Sequence, residues 1–206
     1  MIDFTCTSCG QRFSVAEHLA GRAGKCKKCG VQIVVPAAAK PQASVAVAPK
    51  IPMRLRRLSA DADAMRRAFE SFDLIDIKPV QGDPPDVYQV EYRVKGLEKI
   101  DGHEPSVRDL HRVEIRLTSD YPRLAPQCRM LTPVFHPNID ETTVCIGDHW
   151  AAGERLGDLV VRIGELIAYQ AYNIRSPLNG EAAMWADLHG KKLPIDARDL
   201  RPGNLS

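Results

Sequence analysis

Two copies of Cys-x-x-Cys-Gly, at Cys6–Gly10 and Cys26–Gly30, constrain how the start of this chain can fold. Sixteen residues separate Cys9 from Cys26, a spacing within the range of a four-thiolate zinc site. A segment of about 35 residues cannot bury enough apolar surface to fold unaided, and a bound metal supplies the missing stability. The glycine after each pair lets backbone amides turn towards the thiolate sulfurs. Two redox pairs are the alternative, but the doubled spacing favours a structural zinc held by Cys6, Cys9, Cys26 and Cys29. His18, midway between the pairs, is read as a surface residue. Arg22, Lys25, Lys27 and Lys28 make one end basic, as a solvated face or as a docking surface for an acidic partner or nucleic acid.

The chain has 206 residues, 44% hydrophobic and 26% charged, as in ordinary soluble globular proteins. A net charge of +2 argues against a nucleic-acid coat or a membrane-surface protein. No apolar run approaches the roughly 20 residues of a membrane span. The start, MIDFTCTSCG, lacks the basic and apolar regions of a signal peptide. A cytoplasmic location and reduced thiols are therefore expected.

Residues 37–51 are rich in alanine and proline, with no aromatic residue and no amphipathic period, and read as a linker. The expected domains are thus 1–36 and 52–206. Pro52 suits a helix start, and Leu55, Leu58, Ala62, Met65, Phe69 and Phe72 form one apolar stripe. The arginines among them, at 54, 56, 57, 66 and 67, fall mostly off that stripe. Strands are expected at 75–80, 87–94, 109–118 and 127–135, with Asp83–Asp86 as the first turn. Strands joined in sequence order by short connections predict an antiparallel meander. Leu156, Leu159, Val160, Ile163, Leu166, Ile167 and Gln170 fit a helical period, and a last helix over 180–189 carries Ala182, Ala183, Trp185 and Leu188. This is an α+β domain: an N-terminal helix, a four-stranded antiparallel meander and C-terminal helices on one side of it.

Between the meander and those helices lies YPRLAPQCRMLTPVFHPNIDETTVCIGDHW, residues 121–150. A nucleophilic thiol needs an oriented amide or backbone dipole to stabilise an oxyanion. Asn138 and Cys145 supply both parts if the chain folds back between them. Cys128 lies inside a strand and reads as a packed, inert thiol.

These landmarks, in this order, resemble the ubiquitin-conjugating enzyme family from about Met53 to His189. Tyr121-Pro122 and Pro126 resemble its Y-P-x-x-P-P motif, with Ala125 at the middle proline. His136-Pro137-Asn138-Ile139 matches its H-P-N-I motif. Cys145 falls at the catalytic cysteine, Trp150 at the tryptophan that follows, and Pro177-Leu178 with Glu181 at the motif before the third helix. The resemblance implies that Cys145 takes a ubiquitin-like modifier from an activating enzyme as a thioester and passes it to a lysine of a substrate protein. It implies that Asn138 holds the loop and stabilises the oxyanion, and that His136 is a structural brace. A Cys–His peptidase built from Cys145 and His136 would need an orienting third residue, which the sequence does not show. The basic first helix, with Arg54, Arg56 and Arg57, is the expected contact for the activating enzyme. Residues 4–30 are similar to the small zinc ribbons at the N-termini of many bacterial proteins.

The sequence also departs from that family. The Asn138–Cys145 loop is one residue shorter than its pattern and lacks a glycine, and the stretch to Trp150 is short. Arg123 replaces a phenylalanine, and Ala151-Ala152-Gly153 replaces Ser-Pro-Ala, on the surface that RING-type ligases grip. Both changes tell against standard RING-ligase recruitment. Ser176 replaces an aspartate near the thiol, leaving Asp148 or Glu154 to compensate. The chain ends soon after the third helix, without the family's fourth. The ribbon and compact loops point to a bacterial ubiquitin-like system, in which the ribbon recruits a substrate or partner. The alternatives are a non-catalytic ubiquitin-like-binding module and a zinc-ribbon adaptor for nucleic acid, which the near-neutral charge disfavours.

Overall fold

The structure is a computed structural model that describes residues 1–37, 51–100, 103–146 and 150–205. It divides into two units, Met1–Lys50 and Ile51–Ser206. The alanine- and proline-rich stretch falls mostly in 38–50, outside the described residues.

The first unit is two antiparallel hairpins. Strands β1 (Ile2–Thr5) and β2 (Arg12–Val15) pair across the first cysteine turn, and β3 (Ala23–Lys25) and β4 (Gln32–Val34) across the second. The two turns share one backbone. Cys6 N–H donates to Gln11 O at 2.8 Å and Gly10 N–H to Cys6 O at 2.9 Å; Cys26 N–H to Val31 O and Gly30 N–H to Cys26 O are both 2.8 Å. Gly10 (φ 71°) and Gly30 (φ 75°) occupy the left-handed region, which explains the glycine after each pair.

In the second unit, helix α1 (Met53–Phe69) follows Pro52. Strands β5 (Ile75–Gly82), β6 (Pro85–Tyr92), β9 (His111–Arg116) and β10 (Gln127–Met130) form the expected antiparallel meander, in the order β10-β9-β6-β5. A small hairpin, β7 (Gly96–Glu98) with β8 (Ser106–Arg108), interrupts it and was not anticipated. Helices α2 (Leu156–Ile167) and α3 (Gly180–Leu188) follow. Among the described residues no α-helix follows α3; Leu193 packs with Tyr169 and α3, and Leu200 returns to the core beside α2. There Gly164 allows a close approach: a Cβ would lie 2.9 Å from Leu200 Cδ1 and 3.0 Å from Tyr92.

One core joins Leu58, Met65 and Phe69 of α1, Tyr88, Val90 and Tyr92 of β6, Val113 and Ile115 of β9, and Leu159, Ile163 and Ile167 of α2. Each such aliphatic or aromatic side chain contributes roughly 1.5–3 kcal/mol on burial, so the α1 and α2 stripes fix both helices on one sheet face.

Several boundaries and faces differ from the sequence-based expectation. The first turn shrinks to Asp83-Pro84, because Gly82 (φ 88°) lets Gly82 pair with Pro85. The last strand stops at Met130; Leu131 N–H still reaches Arg112 O, but Pro133 has no N–H to extend the ladder. Leu55 is 37% exposed, and Asp61, 7% exposed, is buried on α1 while the expected Ala62 is only half-buried. Leu188 is 71% exposed, whereas Ala182, Ala183 and Ala186 make the buried face of α3.

Candidate active site and metal centre

His136-Pro137-Asn138 is a hub that ties two segments together. Beyond it the chain does fold back: Ile139 bridges Val144, and Cys145 N–H donates to Asn138 O at 2.9 Å. Asp140 closes the turn, its Oδ1 accepting from Thr142 N–H and Thr143 N–H, both at 2.7 Å. Those amides hold the Asp140 carboxyl below its usual pKa. No described residue of this loop has a positive φ, so the turn closes without the glycine that the family pattern has. Val144 N–H donates to Cys128 O at 3.0 Å, which pins the returning arm to β10. Cys145 follows directly, half-buried, while residues 147–149 (Asp148 among them) lie outside the described residues.

The second segment is 173–179. Asn138 Nδ2 donates to Asn173 O at 2.8 Å, and Asn173 N–H donates to Asn138 Oδ1 at 2.7 Å. Pro137 O accepts from Leu178 N–H (2.8 Å) and Asn179 N–H (3.0 Å). Asn179 then caps α3, its Oδ1 accepting from Ala182 N–H at 3.0 Å. Asn173 was not singled out from the sequence, since its contribution is a backbone group that any residue carries.

His136 is fully buried against Tyr169, with ring centroids 4.6 Å apart. Its Nδ1 accepts from Asn138 N–H at 3.1 Å, and Nε2 has no hydrogen-bond partner among the described residues. Burial lowers its pKa to about 3, against a smaller opposing pull from the Ala171 backbone. A ring that stays neutral and faces the backbone braces the turn; it cannot serve as a base near pH 7. Because the folded-state pKa lies below the unfolded value of about 6.5, the unfolded chain binds the proton first as pH falls. Stability is therefore full above pH 6.5 and declines towards pH 3, by an amount on the order of 5 kcal/mol. Buried His111, also lowered by burial, acts in the same direction. His136→Asn, whose Oδ1 can accept from Asn138 N–H, should flatten the fall in melting temperature between pH 7 and 5. An unchanged slope would contradict the buried neutral ring.

The arginines of α1 divide. Arg54 donates to Leu117 O at 2.9 Å and Thr118 O at 3.2 Å. Arg57 donates to Asp61 (2.8 Å), Tyr121 Oη (3.1 Å), Ala152 O (2.6 Å) and Glu154 O. Both guanidinium groups hydrogen-bond within this unit while staying partly exposed, and Arg56 is exposed. Tyr121 Oη also donates to Asp61 at 2.5 Å, and Trp150 Nε1 donates to Pro122 O at 2.8 Å. The Glu154 carboxylate is paired with Arg162, so it is not a free acid beside the thiol. Arg123 is exposed and pairs with Asp120.

In the first unit the four cysteine sulfurs lie within 4.8 Å of one another, with Cys6–Cys29 at 3.8 Å and Cys9–Cys26 at 3.6 Å. A tetrahedral ion with bonds of about 2.3 Å requires sulfur–sulfur edges of about 3.8 Å. Backbone N–H groups of Ser8 and Cys9 lower the Cys6 pKa, and those of Cys29 and Lys28 draw Cys26 down to about 6, whereas, against the Gln11 backbone, burial and the neighbouring thiols push Cys9 up to about 12. The four thiols can hold a metal ion.

The family model for ubiquitin-conjugating enzyme matches residues 99–192. Ubiquitin-conjugating enzyme E2 N of Drosophila melanogaster is 33% identical over 79 residues, covering 36% of this chain and 51% of that protein. The Macaca fascicularis protein of the same name is 30% identical over the same shares. Ubiquitin-conjugating enzyme E2 13 of Saccharomyces cerevisiae is 28% identical over 116 residues, 46% of this chain and 74% of that one. The chain thus spans about half the length of the fly and macaque relatives. A solved structure described as a novel ubiquitin-conjugating enzyme superposes with a TM-score of 0.50 at 19% identity, covering 68% of this chain and 94% of that one, a likeness of fold. No helix among the described residues is long and apolar enough to cross a membrane. The meander, the helices and the His136–Cys145 turn, taken with these matches, show that residues 51–206 have the fold of ubiquitin-conjugating enzymes.

Proposed function

We propose that the chain is a conjugating enzyme for a ubiquitin-like modifier. The observation that carries this reading is the placement of Cys145, half-buried at the mouth of the Asn138–Val144 turn and tied to Asn138 through its own N–H. The Cys145 thiolate attacks the modifier's C-terminal thioester on an activating enzyme and releases that enzyme's thiol. The bound modifier is then attacked by a lysine amine of a substrate protein. The carbon–nitrogen bond forms, the Cys145 thiolate leaves, and the amine gives up a proton to solvent. A lysine has an intrinsic pKa of about 10.4, so its deprotonation limits the step.

Asn138 has two amide hydrogens. One is committed to Asn173 O. The other is our candidate donor to the oxyanion, and one such donor is typically worth about 3 kcal/mol. Asn138→Ala should therefore charge normally and pass the modifier to free lysine about 100-fold more slowly. Equal discharge rates would remove Asn138 from the chemistry. Cys145→Ser should trap the modifier as an oxyester that survives thiol treatment.

Residues 1–36 are in this reading a structural zinc module on Cys6, Cys9, Cys26 and Cys29, and 52–206 the conjugating domain. The activating enzyme would meet the outer face of α1 at Arg56. Arg123 and the Ala151–Gly153 turn, fastened to Arg57 through Ala152 O, replace the residues a RING-type ligase would grip. We place the enzyme in a cytoplasmic, bacterial ubiquitin-like system.

A further inference from the structure

The two hairpins of residues 1–37 act as controls for one another. Their cysteine turns have the same hydrogen bonds and the same glycine conformation. Their exteriors differ. Thr7, Ser8 and Gln11 of the first turn correspond to Lys27, Lys28 and Val31 of the second. On the outward face, the cross-strand pair Asp3–Ser14 corresponds to Ala23–Val34, and Thr5–Arg12 to Lys25–Gln32. Nothing in the shared backbone calls for lysine or valine at these positions.

All of these second-hairpin residues are exposed, Val34 at 60% and Val31 at 43%. Exposed Arg22 adjoins Ala23. Alternation along the strands puts Ala23, Lys25, Gln32 and Val34 on one face. From His18 to Ala60 the sequence has nine lysines and arginines and no acidic residue, so no carboxylate of that stretch offsets them.

Charge balance at the metal explains part of this. Four thiolates around a divalent ion leave two negative charges, which lysines offset. It does not explain an exposed Ala23–Val34 pair where the first hairpin has Asp3–Ser14. An apolar patch bordered by cations is complementary to an aliphatic side chain flanked by carboxylates. Single-stranded nucleic acid fits less well. The phenylalanine, tyrosine and tryptophan residues of 1–37 are Phe4 and Phe13, stacked on each other at 5.4 Å in the first hairpin, so the second hairpin offers no such ring for a base to stack on.

We propose that the second hairpin, through Lys25, Lys27, Lys28 and Val34, docks an acidic segment of a partner protein. The interaction does not depend on chemistry at Cys145. The test is selection of a random 12-residue phage-displayed peptide library on the zinc-loaded full chain. A parallel selection uses the variant Lys27→Thr/Lys28→Ser/Val34→Ser, which writes first-hairpin residues onto the second. Enrichment of peptides with Asp or Glu around an aliphatic residue is expected. Their affinity should fall at least tenfold in the variant and fall with added salt, while zinc content stays unchanged. The proposal is overturned by no acidic enrichment, by equal binding to both proteins, or by tighter binding of a 20-nucleotide single-stranded DNA. It is equally overturned if the variant loses zinc and the lysine-only variant Lys27→Thr/Lys28→Ser, still loaded, binds the peptides as wild type does.

Discussion

Cys26→Ser, or removal of metal by a chelator, should unfold residues 1–37 outright. The reason lies in what that unit buries. Among its described residues, the only two that are buried are Cys6 and Cys26, two of the four thiols that can hold a metal ion. Its strands are three or four residues long, and isolated two-stranded hairpins are marginal in water. Structural zinc in small modules contributes roughly 10–16 kcal/mol, far more than these hairpins hold by other means. Amide exchange measured by mass spectrometry should show residues 2–5 and 32–34 losing all protection. The core of residues 51–206 should persist, since it includes no residue of the first unit. Protection that survives complete metal removal would mean that something other than the four thiolates holds the hairpins.

Asp61→Ala should cost the second unit about 3–5 kcal/mol, the range for breaking a buried ion pair from one side. Asp61 is 7% exposed and accepts from both Arg57 and Tyr121. Its removal leaves a partly buried guanidinium without its counter-charge. Arg57 also holds Ala152 O and Glu154 O, so the loss reaches the turn between Trp150 and α2. Burial, with the hydrogen bond to Asp61, raises the Tyr121 pKa, so the phenol remains a donor at ordinary pH. Tyr121→Phe removes one hydrogen bond and should cost only about 1–2 kcal/mol. Urea denaturation of the two variants separates the terms. Equal losses would show that Asp61 acts through the tyrosine alone.

Legibility in the sequence followed the kind of force involved. The cysteine turns could be read because the doubled Cys-x-x-Cys spacing has few other uses and the left-handed turn sets the glycines. Helix α2 could be read because every position of its stripe, Leu156 to Ile167, meets the core. In α1 the same reasoning missed Asp61, whose burial is stabilised by Arg57 and Tyr121 from outside the apolar pattern. It also placed Arg54 and Arg57 outside, since a sequence does not show which carbonyls a long side chain will meet. The β7–β8 hairpin has three-residue strands, too short for alternation to show. At the site, the fold-back between Asn138 and Cys145 followed from motif order. The hold of Asn138 on Asn173 did not, because it joins a side chain to a backbone 35 residues away.

The central claim is that Cys145 carries the modifier. Its most direct test is intact-mass spectrometry of the chain recovered from its native cells in acid, without reductant, as wild type and as Cys145→Ala. The account predicts a wild-type adduct of several kilodaltons that maps to Cys145, disappears on thiol treatment and is absent from the variant. A thiol-labile adduct that persists in Cys145→Ala would contradict it.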